Sequence, residues 1–292
     1  MRIFLSALGT AVLAVAGVPA VHGSLRAAQA PPPCDNAFRD PPSGAQFRAP
    51  SECEVQFDQR IRRAEHQAFA KVLEVFSQGS WTKPEEGSLA PITGVARGLD
   101  KDWFRPGLTT GGEYSLKLHL SPASAEFRAL DKRQQDIMAK MQADAKVPGK
   151  MQASFDAFTA GVREMRAAIE VSVRMSVNLR TGGFSDLKSE HGPLLVPGAA
   201  SAFAVSHVEG LSGGGPDNTS PDAAFIFLGK WGPARIERRS DGGEHVQLES
   251  VASATAPRLS VHTMTMQIEC NVALRDQVLK LIDFAALTGL MP

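Results

Sequence analysis

Between residues 259 and 290 the chain reads LSVHTMTMQIECNVALRDQVLKLIDFAALTGL, and its hydrophobic period changes once. His262, Met264, Met266, Ile268 and Cys270 alternate with Val261, Thr263, Thr265, Gln267 and Glu269. That period places one set on each face of a strand. After Asn271, the residues Leu274, Val278, Leu281, Ile282 and Ala285 recur at helical spacing, and Asn271 is placed to cap the helix they define. A strand with one apolar face and a helix with one apolar stripe must bury those surfaces against each other or against a third element. The stretch therefore demands a sheet with a helix packed on it.

A second strand of the same kind lies upstream. Ile169, Val171, Val173, Met175, Val177 and Leu179 alternate with Glu170, Ser172, Arg174, Ser176, Asn178 and Arg180, and Thr181-Gly182-Gly183 reads as its end. Tyr114, Leu116, Leu118 and Leu120 alternate over a shorter run. Residues 200–209 and 223–231 read as further strands. Residues 234–239 and 244–251 flank Ser240-Asp241-Gly242-Gly243, a sequence suited to a hairpin turn.

Helical spacing dominates the first half. Val55, Ile61, Phe69, Val72 and Phe76 share one face, with Gly79 as the stop. Ser121-Pro122 is a cap and first-turn pair for a helix running to about Ala145, with Phe127, Leu130, Ile137 and Met141 facing inward. Val147-Pro148-Gly149 breaks it. Met151, Phe155, Phe158, Val162 and Met165 then define a second helix, so the pair reads as a helical hairpin. The expected fold is α+β: N-terminal helices, then a mostly antiparallel sheet of about five to six strands, closed by a C-terminal amphipathic helix.

Residues 1–23, MRIFLSALGTAVLAVAGVPAVHG, have the positive start, apolar run and small-residue end of a secretory signal peptide. The run at 3–18 is shorter than the ~20 apolar residues a spanning helix needs, and no later stretch is long enough either. Residues 24–53 form a Pro- and Ala-rich leader, and 54–292 a single domain with a helical part at 54–168 and a sheet part at 169–292. The expected compartment is the periplasm or the exterior, where disulfides persist. Of the three cysteines, Cys34 and Cys53 flank a Pro/Gly-rich segment and are the expected pair, leaving Cys270 as a small core hydrophobe.

Basic and acidic side chains number 31 each. That balance argues against a general nucleic-acid binder and against a polybasic membrane-surface protein. No Rossmann glycine fingerprint, P-loop, H-E-x-x-H or C-x-x-C occurs, so no cofactor and no metal are expected. Gly210-Leu211-Ser212-Gly213-Gly214 is a formal G-x-S-x-G, but Gly215, Pro216, Asp217 and Asn218 continue a loop where a hydrolase would begin a helix. Ser185-Asp186-Leu187-Lys188 matches S-x-x-K without the companion motifs in their usual order, and reads as turn and surface. The expected function is a non-catalytic binding or structural module. A small molecule or protein is its expected partner, taken at loops such as the one carrying Trp81, Trp103 and Phe104 or the Gly-rich loop at 210–222. The alternative is a serine hydrolase with Ser212, Asp241 and His262 as its triad. A fluorophosphonate probe separates the two. Folded protein is expected to remain unlabelled, whereas labelling lost in Ser212→Ala would establish the hydrolase.

Overall fold

The computed structural model describes residues 47–87, 95–96, 113–208, 220–252 and 259–292, all within the unit Asp35–Pro292. Ser51 opens helix α1 (Glu52–Phe76) with a capping box. Its hydroxyl accepts from the Glu54 N–H, and the Glu54 carboxylate accepts from the Ser51 N–H. The helix thus starts two residues before the expected domain boundary at 54, because the S-x-x-E signal lies just upstream of the apolar stripe. Burial pushes the Glu54 carboxyl upward, but the Arg48 guanidinium at 2.6 Å and the Ser51 donors outweigh it and hold the group below its ordinary value.

The remaining helices are α2 (Ala125–Asp144), α3 (Met151–Ile169), α4 (Val272–Leu281) and α5 (Phe284–Thr288). Ser124, not Ser121, caps α2, accepting from the Phe127 N–H at 3.0 Å; Ser121 instead holds the turn ahead of it. The expected single C-terminal helix is two. Asn271 caps α4 as anticipated, but Asp283 accepts from the N–H groups of Ala285 and Ala286 and starts α5, while its own N–H donates to the Ala68 carbonyl on α1. An aspartate that satisfies two first-turn donors favours a new helix start over continuation.

Twelve strands are described. They are β1 (Phe47–Arg48), β2 (Glu85–Gly87), β3 (Val95–Ala96), β4 (Glu113–His119), β5 (Glu170–Val177), β6 (Thr181–Asp186), β7 (His191–Pro193), β8 (Ala199–Val208), β9 (Ser220–Gly229), β10 (Arg235–Arg238), β11 (Glu244–Glu249) and β12 (Thr263–Glu269). β1 pairs with β3. The others form one sheet in the order β10-β11-β6-β8-β9-β12-β5-β4-β2, with β7 beside β8, and every pairing is antiparallel. The α+β class is the expected one. The sheet is wider than five to six strands, and β2 and β4, from the part expected to be helical, join it at one edge.

Two apolar layers flank this sheet. On one face, Phe57, Phe69, Val72 and Phe76 of α1, Val278 of α4 and Leu287 of α5 cover Leu116, Val173, Met175, Ile226, Met264 and Met266. On the other, Phe184, Val205, Phe225, Phe227, Trp231, Val246 and Leu248 form a smaller core where β6 and β11 fold back over β8 and β9. Gly182 allows this close approach, since a Cβ there would lie 2.9 Å from Phe227 and from Thr265. The glycines that read as the end of β5 are therefore the start of another strand.

Asn178 redirects the chain between the layers. It has a positive φ of 59° and is fully buried. Its Oδ1 accepts from the His262 N–H at 2.7 Å and the Thr263 N–H at 3.4 Å, and its Nδ2 donates to the Ser260 carbonyl at 2.8 Å. Asn is among the few non-glycine residues that enter this backbone region readily, and its short amide satisfies the backbone of the facing loop. Asn178→Ala should therefore destabilise the protein by roughly 2–4 kcal/mol, since buried backbone groups lose their partners. Urea denaturation measures this, and a loss below about 1 kcal/mol would show that the contacts are replaceable.

Candidate functional site

The face of β5, β12 and β9 away from α1 carries the polar half of β5 and β12, while β9 presents Phe225 and Phe227 there. The register brings these side chains into rows. Arg174 on β5 lies opposite Gln267 on β12, and Gln267 opposite Phe225 on β9. In the neighbouring row Ser176, Thr265 and Phe227 stand in the same order. Residues 179–183 pass over this surface, and a cleft of about 390 Å³ opens between them. Arg174, Ser176, Thr265 and Gln267 line it with Phe225 and Phe227, and Leu179, Thr181, Gly182 and Gly183 close its side. The volume lies within the range of small-ligand sites, and an apolar wall with a few convergent polar groups is their usual composition.

The wall is rigid. Phe225 stacks on Phe184 at 4.6 Å, Phe227 meets Trp231 edge-on at 5.6 Å, and the Trp231 Nε1–H donates to the Leu228 carbonyl at 2.9 Å. Gln267 donates to Glu269 at 2.6 Å. Arg174 is exposed and has no hydrogen-bond or ion-pair partner among the described residues. An arginine beside a cleft, with no ion-pair partner among the described residues, offers a planar set of donors matched to carboxylate, sulfonate or phosphate oxygens.

A second polar cluster lies on β6, β7 and β11. His191 Nδ1 is 3.2 Å from the buried Asp186 carboxylate, and its Nε2 is 3.7 Å from Glu244. On the opposite side of β6, Ser185 Oγ and His245 Nδ1 are 3.2 Å apart. These are cross-strand neighbours, since Asp186 pairs with Glu244 and Ser185 with His245 in the antiparallel ladder. A serine–histidine pair gains a nucleophile's reactivity when a third group orients the imidazole. No carboxylate contacts His245 among the described residues. Lys188 of the S-x-x-K tetrad donates its backbone N–H to Asp186, which makes that motif a turn.

The residues singled out from the sequence are dispersed. Ser212, Trp103, Phe104 and Cys34 lie outside the described residues, and with them the hydrolase triad as a whole and the Cys34–Cys53 pairing. Asp241 sits in the exposed β10–β11 turn, where the Gly243 N–H and then the Arg239 guanidinium hold its carboxyl below its ordinary value. His262 is buried at the start of β12, its N–H donated to Asn178. Trp81 pairs with Leu120 across an isolated bridge and packs edge-on against Phe76 at 4.8 Å, so it belongs to the rim of the main core. Cys53 is half-buried against that core. Among the described residues, no group of three His, Cys, Asp or Glu could hold a metal ion, and no helix is long and apolar enough to cross a membrane.

Sequence reasoning missed the cleft because Arg174, Ser176, Thr265 and Gln267 are the outward half of two alternating strands, the pattern of any sheet face in water. The available signal was Asn178 followed by Gly182-Gly183, a residue tolerant of positive φ and then two residues without side chains. No family model, curated protein or solved structure matches the chain.

Cys270 ends β12 inside the main core. Burial pushes its thiol up from 9.0 to about 12, more than the opposing pull of Arg275. The neutral thiol is the form the fold favours. The contribution is complete below pH 9 and is lost as pH rises toward 12, because the unfolded chain ionises first. Wild type should therefore lose unfolding free energy across that interval more steeply than Cys270→Ala. Equal slopes in the two proteins would remove this account of the thiol.

Proposed function

We propose that this protein is an exported, non-catalytic binding module, periplasmic or secreted, that holds a small amphipathic acid in the cleft between β5, β12, β9 and the start of β6. The observation that carries the reading is Arg174. It stands beside a wall of Phe225, Phe227 and Leu179, among the hydroxyl and amide groups of Ser176, Thr181, Thr265 and Gln267, without an anionic partner among the described residues. A ligand anion would take the guanidinium, and an attached apolar body would lie against the aromatic wall. Its polar neighbours would satisfy remaining oxygens. This reading moves the ligand surface from the loops to a sheet face, where rigid strands hold side chains more closely than loops do. The composition of the cleft fits binding better than catalysis, since among the described residues no histidine, carboxylate or cysteine lines it.

Anilinonaphthalene sulfonate is a suitable first probe, being aromatic and anionic. Saturable binding with energy transfer from Trp231, whose ring adjoins the cleft wall, is expected. Arg174→Ala should weaken it by about tenfold or more, equivalent to roughly 1.4 kcal/mol. The neutral analogue N-phenyl-naphthylamine should bind both proteins alike. Sulfonate affinity unchanged by Arg174→Ala, or absence of saturable binding to folded protein, would overturn the assignment.

A further inference from the structure

We infer that the α2–α3 hairpin is a dimerisation element, and that a second copy of this chain packs its own hairpin against it to form a four-helix bundle. The observation is an apolar surface that the fold leaves open. Among the described residues nine large apolar side chains are exposed, and five of them, Met138, Val147, Met151, Phe155 and Val162, belong to this one hairpin. α2 runs for 20 residues and buries none of them. Helices of this length draw most of their stability from packing an apolar face, and α2 packs its own against α3 without fully burying any residue, so the hairpin gains from a further partner.

The hairpin's internal seam half-buries Phe127, Leu130, Ile137 and Met141 of α2 but leaves part of the apolar surface of α3 uncovered. α3 turns small residues toward α2: Ser154 donates to Asp144 at 2.6 Å, and a Cβ on Gly161 would meet Gln134 and Ile137 within 3 Å. Phe158 and Met165 follow Ser154 and Gly161 one turn on along the same face and are half-buried, whereas Met151, Phe155 and Val162 lie beside the seam and are exposed. Met151, Phe155, Phe158, Val162 and Met165 follow one another at alternating intervals of four and three. That heptad spacing produces a straight seam suited to another helix. The exposed part of the stripe is therefore Met151, Phe155 and Val162, with Phe158 and Met165 along its edge.

Two further arguments favour a second copy as the occupant. The first is area. α3 has 19 residues and is about 28 Å long. A face two helices wide then offers roughly 1,100 Å² summed over two copies, at the lower edge of specific interfaces, which implies a concentration-dependent dimer. The second is charge. The hairpin, Ala125–Ile169, carries eight Lys and Arg against six Asp and Glu, interspersed along both helices. Mixed signs of this kind suit a protein surface of the same composition, whereas an anionic bilayer selects clusters of Lys and Arg. Antiparallel hairpins that pair face to face are the ordinary route to a four-helix bundle, and a two-fold axis lets one surface serve as both halves.

Sedimentation equilibrium on the mature chain tests this. Wild type should shift from monomer to dimer between roughly 0.1 and 100 µM, the range of a micromolar dissociation constant. Phe155→Glu and Val162→Glu, each at an exposed position, should keep the wild-type circular dichroism spectrum and remain monomeric throughout. Ala160→Glu, exposed on the opposite side of α3, should dimerise as wild type does. Three results would overturn the inference: a wild-type monomer across the range, a dimer unchanged by both folded stripe variants, or a monomer that sediments with phosphatidylglycerol vesicles in a Phe155-dependent manner. If both stripe variants unfold, hydrogen exchange on wild type decides. α3 amides should become more protected with rising concentration, and concentration-independent exchange would overturn the dimer.

Discussion

The three side-chain hydrogen bonds of Asn178 hold together the parts of the structure that matter for function. The Asn178 amide grips Ser260, His262 and Thr263, so the turn leaving β5 and the chain entering β12 are positioned together. The Thr263 hydroxyl donates to the Leu179 carbonyl at 2.8 Å and extends the clasp by one residue. From there the chain leaves the plane of the sheet and crosses its polar face as β6. The cleft exists because of this departure. A strand that continued flat would leave Arg174 and Gln267 on an open surface with no wall beside them.

The second layer is held by a similar economy of contacts. β6 touches β8 through a single bridge, Asp186 with Val208, yet it does not swing free. The Ser250 N–H donates to the Arg180 carbonyl at 2.7 Å, and the Val251 N–H to the Lys230 carbonyl at 3.0 Å, tying the ends of β11, β6 and β9 together. Inside this closure Phe184 and Phe225 are in ring contact, as are Phe227 and Trp231, and Phe203 joins the two pairs. Aromatic pairs at these separations add to the burial of each ring, which suits a small core with few residues to spare. The wall of the cleft is thus the outer surface of a packed cluster, and a ligand there would meet side chains that are already ordered.

Much of this architecture was legible in the chain. The alternation of β5 and β12, the hairpin turn at 240–243, the cap at Asn271 and the two helices joined at Pro148-Gly149 follow from period and local chemistry, which the tertiary structure had no reason to override. The failures have specific causes. Gly182 and Gly183 were legible as glycines but not as a close crossing, because a turn and a tight approach demand the same residue. β4 was legible from the alternation of Tyr114, Leu116 and Leu118, whereas β2 was hidden, since a three-residue edge strand carries little periodic signal. The cleft was illegible for a deeper reason. A polar strand face toward water and a polar strand face toward a ligand have the same sequence pattern, and only a distant segment passing over it distinguishes them.

The hairpin presents the opposite situation. Its apolar stripe on α3 was legible from the sequence as helical spacing. The structure leaves Met151, Phe155 and Val162 of that stripe on solvent, which makes the pattern informative in a different way. A heptad sustained over α3 has no use on a surface that stays wet, and Met151 and Phe155 on α3 would be a standing liability for nonspecific association. The cleft and the stripe also stand on separate evidence. Arg174, Ser176, Thr265, Gln267 and the aromatic wall are carried by strands of the sheet, and no residue of α2 or α3 lines the cleft. Yet α3 ends at Ile169 and β5 begins at Glu170, so the stripe and the anchoring arginine share one uninterrupted stretch of backbone. A dimer built on α3 would hold the strand that carries Arg174 from its N-terminal end, as Asn178 holds it from the other.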